Sequence, residues 1–184
     1  MQEIIDQAED KMKKALHALE EEFNTLRTGR ASPALFDKIR VDYYDSPTPI
    51  NQVATISVPE ARLVVIQPWD KSIIGEIEKA IQKSELSVNP SNDGKVIRIS
   101  IPPLTEERRK EYVKIAKDMA ERSRVSIRNT RRDANDSLKK DQKDGTISED
   151  DLKHGEDLVQ KLTDRYVESV NSMLEEKEQE ILEI

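Results

Sequence analysis

Between positions 108 and 132 ten basic residues stand against three acids, in a chain whose net charge is −7. Wound as a helix at about 100° per residue, Lys110, Lys114, Lys117, Arg124, Arg128, Arg131 and Arg132 fall within roughly 60° of one line. Glu121 is the single acid among them, while Asp118, Asp133 and Asp136 lie on another flank. Arginine dominates the row, and its planar guanidinium matches phosphate oxygens in two-pronged hydrogen bonds that lysine cannot form. A one-sided row of fixed cations suits the backbone of a folded nucleic acid. The competing reading is a solvated face held by surface ion pairs. Segregation of the two signs brings the two readings level, since ion pairing along a helix works best with interspersed charges.

Other chemistries find little support. There is no cysteine, hence no disulfide, thiolate metal site or cysteine nucleophile. The two histidines, His17 and His154, stand among charged residues on helical segments, where surface placement is the norm. Five glycines in all, without a cluster before a Lys-Ser or Lys-Thr pair, leave no phosphate loop. The carboxylates run in solvated helical stretches such as Glu175-Glu176-Lys177-Glu178, a poor setting for acid–base work. Aromatic residues make up only 4%, so base stacking on single strands is poorly served and a folded duplex fits better. Trp69, beside Asp70, is expected to be a packing residue. The chain reads as a binding protein and not as an enzyme, with no cofactor of its own.

A helix that holds the basic row needs partners, and the apolar residues supply them. Ile5, Ala8, Met12, Ala15, Leu19, Phe23 and Leu26 alternate in steps of three and four, the seam of a helix packed lengthwise on others. Gly29 is expected to cap that helix and Pro33 to stop it. A second seam runs Tyr112, Ala116, Met119, Ser123, Ile127, Thr130, Ala134 and Leu138, from a cap at Thr105 to an end near Gly145. A third runs Leu152, Val159, Leu162, Tyr166, Val170, Met173 and Ile181 behind Ser148, whose capping box with Asp151 is only approximate. Gly155 inside this third helix should weaken it by about 1 kcal/mol.

Between the first and second helices the period changes to two. Ile39, Val41 and Tyr43 alternate with polar residues, Pro47 and Pro49 are expected to form a turn, and 53–58, 63–66 and 96–101 read as strands. Ser72 is expected to cap a short helix bearing Ile73, Ile74, Ile77, Ala80 and Ile81, and 89–94 reads as a loop. The chain is therefore α+β. Residues 1–30 and 105–184 are expected to form an antiparallel three-helix bundle carrying the basic face, and residues 31–104 a small inserted domain. Its short tethers, Arg30, Ala31, Ser32 and Pro33 on one side and Pro102, Pro103 and Leu104 on the other, are expected to act as a hinge of restricted direction. An acidic N-terminal decapeptide is no signal peptide and no apolar run approaches about 20 residues, so a cytoplasmic location is expected.

Several segments carry a resemblance. Arg27-Thr28-Gly29-Arg30-Ala31-Ser32-Pro33, then Val41-Asp42-Tyr43-Tyr44 with Thr48-Pro49, then Pro102-Pro103-Leu104-Thr105-Glu106-Glu107-Arg108-Arg109-Lys110, and finally Arg128-Asn129-Thr130-Arg131-Arg132-Asp133-Ala134-Asn135-Asp136 occur in the order and spacing of the bacterial ribosome recycling factor family. The resemblance covers essentially the whole chain. It implies a three-helix bundle with an inserted β/α/β sandwich domain, L-shaped overall, acting as a monomer on ribosomes whose peptide has been released. It further implies contact with ribosomal RNA of the large subunit and joint action with elongation factor G, which hydrolyses the GTP. On that basis Arg109, Lys110, Lys117, Arg124, Arg128, Arg131 and Arg132 are the expected RNA-binding residues.

Overall fold

A computed structural model describes residues 1–26, 29–86 and 88–182. Arg27 and Thr28, quoted above in the motif that closes the first helix, lie outside them. The chain divides into two compact units, Met1–Arg27 with Glu106–Glu183 and Thr28–Thr105.

The first unit is a bundle of α1 (Gln2–Asn24), α3 (Glu106–Lys143) and α4 (Glu149–Leu182). Ile5 and Ala8 pack with Ala134, Leu138 and Val159, while Leu19 and Phe23 belong with Ala116, Ala120, Val170 and Ile181. This order makes α3 antiparallel to both other helices. The expected seams face the core, with Ala15, Leu26, Tyr112, Met119, Leu152, Leu162 and Met173 half-buried and the others buried, and Ala120, Gly155 and Thr163 join them. Buried hydroxyls on the seams find acceptors: Thr130 donates to Ser126 O at 3.0 Å and Thr163 to Val159 O at 2.8 Å. Satisfied in this way, they avoid the cost of an unpaired polar group in the core.

The helices differ from expectation in three places, two of them at helix ends. α1 stops at Asn24, where the Thr25 hydroxyl donates to Glu22 O at 2.6 Å, so Gly29 is not its cap. Gly29 does adopt φ +77°, and it serves the other unit: a Cβ there would lie 3.3 Å from Leu104 Cγ. At the start of α4 the box closes fully. Ser148 N donates to Asp151 Oδ2 at 3.1 Å and Asp151 N to Ser148 Oγ at 3.0 Å, so Asp, short as it is, completes the reciprocal pair. Gly155 is not a mere weak point, because a Cβ would meet both Leu138 methyls at 3.1 and 3.2 Å. Gly145, at φ +76°, ends α3 as expected. Its N–H reaches Gln142 O and that of Thr146 reaches Asp141 O, the paired bonds of a left-handed helix end.

The second unit holds β1 (Arg40–Tyr43) and β2 (Ser46–Pro49) as a hairpin. An antiparallel sheet of β3 (Ala54–Glu60), β4 (Leu63–Pro68), β5 (Pro90–Asn92) and β6 (Ile97–Ser100) follows, in the order β3-β4-β6-β5. α2 (Ile74–Gln82) completes it, and Phe36, Val41, Ile50, Val64, Ile66, Ile77, Ile81, Ile97 and Ile99 form one buried core.

Here too the structure corrects the reading. Pro47 and Pro49 lie in β2, opposite Asp42 and Arg40, and the turn is Tyr44-Asp45 with both residues at positive φ. In a two-residue hairpin these proline positions alternate with the hydrogen-bonded pairs, so neither ring removes a needed donor. The short helix is entered through Asp70, whose Oδ1 accepts from Ser72 N and Oγ at 2.9 and 2.7 Å; Ser72 is donor and not cap. Part of the supposed 89–94 loop is the edge strand β5. Trp69 is 66% exposed, its Nε1 donating to Thr55 Oγ1 at 2.9 Å, so it is no core residue. Among the described residues, no helix is long and apolar enough to cross a membrane.

Candidate nucleic-acid interface

All the basic residues in question stand on α3, a helix of 38 residues and hence about 57 Å long at about 1.5 Å per residue. Such length in one rigid piece fixes the spacing of its side chains, and packing of the opposite face against α1 and α4 fixes its rotation.

The structure sorts the row by angle. Arg124, Arg131 and Lys117 lean over onto α4. Arg124 keeps only 18% side-chain exposure, with Nε donating to Asn171 Oδ1 at 2.9 Å and Nη1 to Glu121 Oε2 at 2.9 Å. Arg131 Nη1 donates to Gln160 Oε1 at 3.2 Å, and Gln160 Nε2 in turn donates to Asp164. Lys117 Nζ stands 3.8 Å from Glu178 Oε1. These three are the cations displaced toward the buried seam on the helical wheel, which explains why their side chains end on the neighbouring helix.

Lys110, Lys114, Arg128 and Arg132 point outward and are exposed. Lys110 pairs loosely with Glu106 at 3.2 Å, one turn back. Arg128 contacts Glu121 Oε1 at 3.5 Å. Arg132 and Lys114 have no acidic partner among the described residues. Arg109 is half-buried, and its Nε is shielded from solvent without a hydrogen-bond partner. Most of the expected residues thus fall into an outward group able to meet a phosphate directly and a group whose side chains end on α4, of which Lys117 is still 62% exposed; Arg109 belongs to neither. Lys114 joins the first group on geometry. The ion pairs of the competing reading are present, but exposed pairs of this kind contribute little and yield readily to a stronger anion.

Asn171, Gln160 and Glu178 lie on another helix, and no single-helix wheel can show their reach. Glu121 was visible as the acid inside the row, but its double contact was not.

The tether residues all belong to the second unit. Ala31 N donates to Ala61 O at 2.7 Å and Ile101 N to Arg62 O at 2.8 Å, so both chain passages are fastened to the β3–β4 turn. Ser32 Oγ accepts from Ala34 N, and Pro33 opens a short 3-10 turn. Leu104 is half-buried beside Gly29, while Pro102, Pro103 and Thr105 are exposed. Ala31, Ser32 and Pro33 are thus tied down and are not a loose linker. His17 and His154 are exposed, His17 beside Glu20 and Glu21 at 3.9 and 3.2 Å.

Known proteins resemble the chain over its whole length. The family model described as Ribosome recycling factor matches residues 19–182. A Ribosome-recycling factor of Treponema denticola is 64% identical over 183 residues, 100% of this chain and 99% of the relative. One of Caldicellulosiruptor bescii is 60% identical over 184 residues, 100% of each. A solution structure of the ribosome recycling factor matches with a TM-score of 0.76 at 45% identity, covering 100% of this chain and 97% of that one. A structure described as models of the T. thermophilus ribosome recycling factor and the E. coli elongation factor G bound to the E. coli post-termination complex matches at 0.65 and 46% identity, covering 99% and 98%. With a family model over most of the chain and relatives this similar from end to end, the chain belongs to the ribosome recycling factor family.

Proposed function

We propose that the bundle unit docks on ribosomal RNA of the large subunit through the outward row of α3, Lys110, Lys114, Arg128 and Arg132, supported by Arg109, Lys117, Arg124 and Arg131. In this reading, elongation factor G with GTP then drives the second unit against that anchor. The subunits of the post-termination ribosome separate, and messenger and transfer RNA are released. Movement is confined to the tethers around Arg30 and Pro102-Pro103-Leu104. The chain needs no cofactor, because the partner hydrolyses the nucleotide, and it works as a monomer in the cytoplasm.

The observation that carries this reading is the one-sided cationic row on a rigid helix, in a protein that is otherwise acidic. The structure of a similar factor with elongation factor G on a post-termination complex supports the choice of partners. Pelleting with 70S ribosomes and splitting in sucrose gradients with elongation factor G and GTP form the test. Arg128→Ala and Arg132→Ala should each weaken pelleting severalfold and slow splitting, with circular dichroism unchanged. Wild-type binding by the double variant would refute the proposed interface.

A further inference from the structure

The outward row is interrupted once, at its middle. Lys110, Lys114, Arg128 and Arg132 repeat at intervals that place Glu121 on the same strip, half-way along roughly 33 Å of helix. Its two carboxylate oxygens are divided between two arginines: Oε2 takes Arg124 Nη1 at 2.9 Å and Oε1 takes Arg128 Nη1 at 3.5 Å. The two contacts differ in kind. Arg124 is 18% exposed and also anchored by Asn171, so that guanidinium is held whether or not Glu121 is charged. Arg128 is 45% exposed, meets Glu121 at the limit of hydrogen-bond distance, and has no other side-chain partner among the described residues. Glu121 itself is 55% exposed and faces the solvent from which an RNA phosphate would approach.

A carboxylate in that place does two things to an approaching phosphate. It repels the phosphate directly, and it occupies the guanidinium that would receive it. We infer that Glu121 is a brake on RNA affinity: an internal competitor for Arg128 that keeps binding to the ribosome reversible. The inference rests on the interface proposed above. A factor that must leave after each round gains from a face that is attractive but not maximally so, since most affinity differences between related complexes lie in the rate of departure. A purely structural role is the alternative, with Glu121 orienting Arg124 along the helix.

Glu121→Gln separates the two. The amide keeps an oxygen for Arg124 and the size of the side chain but removes the charge. Binding of the full chain to vacant 70S ribosomes, measured by pelleting across a salt series, should tighten by about three- to tenfold at low salt. The gain should shrink as salt screens it, and the log–log salt slope should steepen by up to about one unit, because the charge of Arg128 is released to replace counterions. Dissociation should slow, and multiple-turnover splitting should fall even though single-turnover splitting does not. Unchanged or weaker binding by Glu121→Gln, with its helical signal intact, would overturn the brake and leave Glu121 a positioning residue for Arg124. Arg128→Ala and Arg132→Ala in the same series test the interface itself. If they weaken binding while Glu121→Gln fails to tighten it, only the brake falls; if they have no effect, both ideas fall together.

Discussion

Replacing Gly155 by alanine sets two effects of similar size against each other. In the interior of a helix alanine is favoured over glycine by about 1 kcal/mol, which alone predicts a more stable bundle. Against that, the new Cβ would sit 3.1 and 3.2 Å from the two Leu138 methyls and 3.3 Å from Met1 Sδ. Carbon–carbon contacts are optimal near roughly 3.5–4.0 Å, so the neighbours must retreat by several tenths of an ångström. Met1 can move. Leu138 is fully buried in a cluster with Ile5, Ala8, Ala134 and Val159, so it cannot swing out into solvent. Overpacking of this kind costs about 1–3 kcal/mol, so the net effect should be a loss of about 1 kcal/mol. For a unit of this size that lowers the melting temperature by about 4 °C, read from ellipticity at 222 nm. In a Leu138→Ala background the obstruction is gone, and Gly155→Ala should become stabilising; the two changes should couple strongly in a double-mutant cycle. A rise in melting temperature for Gly155→Ala alone would refute the packing account and restore the reading of a simple weak point.

Three further outcomes are expected. If four outward cations each neutralise a phosphate, the log–log salt slope of ribosome binding should be about −3, and a flat response would remove the electrostatic basis of the interface. Replacing Pro102 and Pro103 by glycine should leave pelleting intact but slow splitting with elongation factor G, since a slack tether transmits less force; normal splitting would show the tether's stiffness to be irrelevant. Asp93 accepts from the N–H groups of Val96 and Lys95 and from Arg98, and these bonds, that of Val96 foremost, hold its carboxyl well below the usual 3.8. A depressed folded pKa means that its contribution is fully present above about pH 4 and is lost as the pH falls toward the folded value. Trp69 fluorescence should therefore report progressive weakening of the second unit below about pH 4, and Asp93→Asn should flatten that dependence.

The helical seams, the change of period between the first and second helices, and the segregation of cations on α3 were legible along the chain. These rest on local periodicity, which is a property of the chain alone. Even the inclination of Arg124 and Arg131 toward the buried side was contained in their wheel angles. What those side chains touch was not, because Asn171 and Gln160 lie 47 and 29 residues away along the chain and meet the arginines only when α3 and α4 pack. The same holds for Gly155, where local propensity predicts a defect and the closeness of Leu138 makes glycine the residue that fits. Prolines read as a turn proved compatible with a strand because pairing register, set between strands, decides whether an N–H is needed. Trp69 was expected to be a packing residue, yet the core of the second unit is filled by isoleucine, valine and Phe36, which leaves the indole on the surface with Thr55 as its partner. Periodicity reports which way a residue faces; only packing decides what stands opposite.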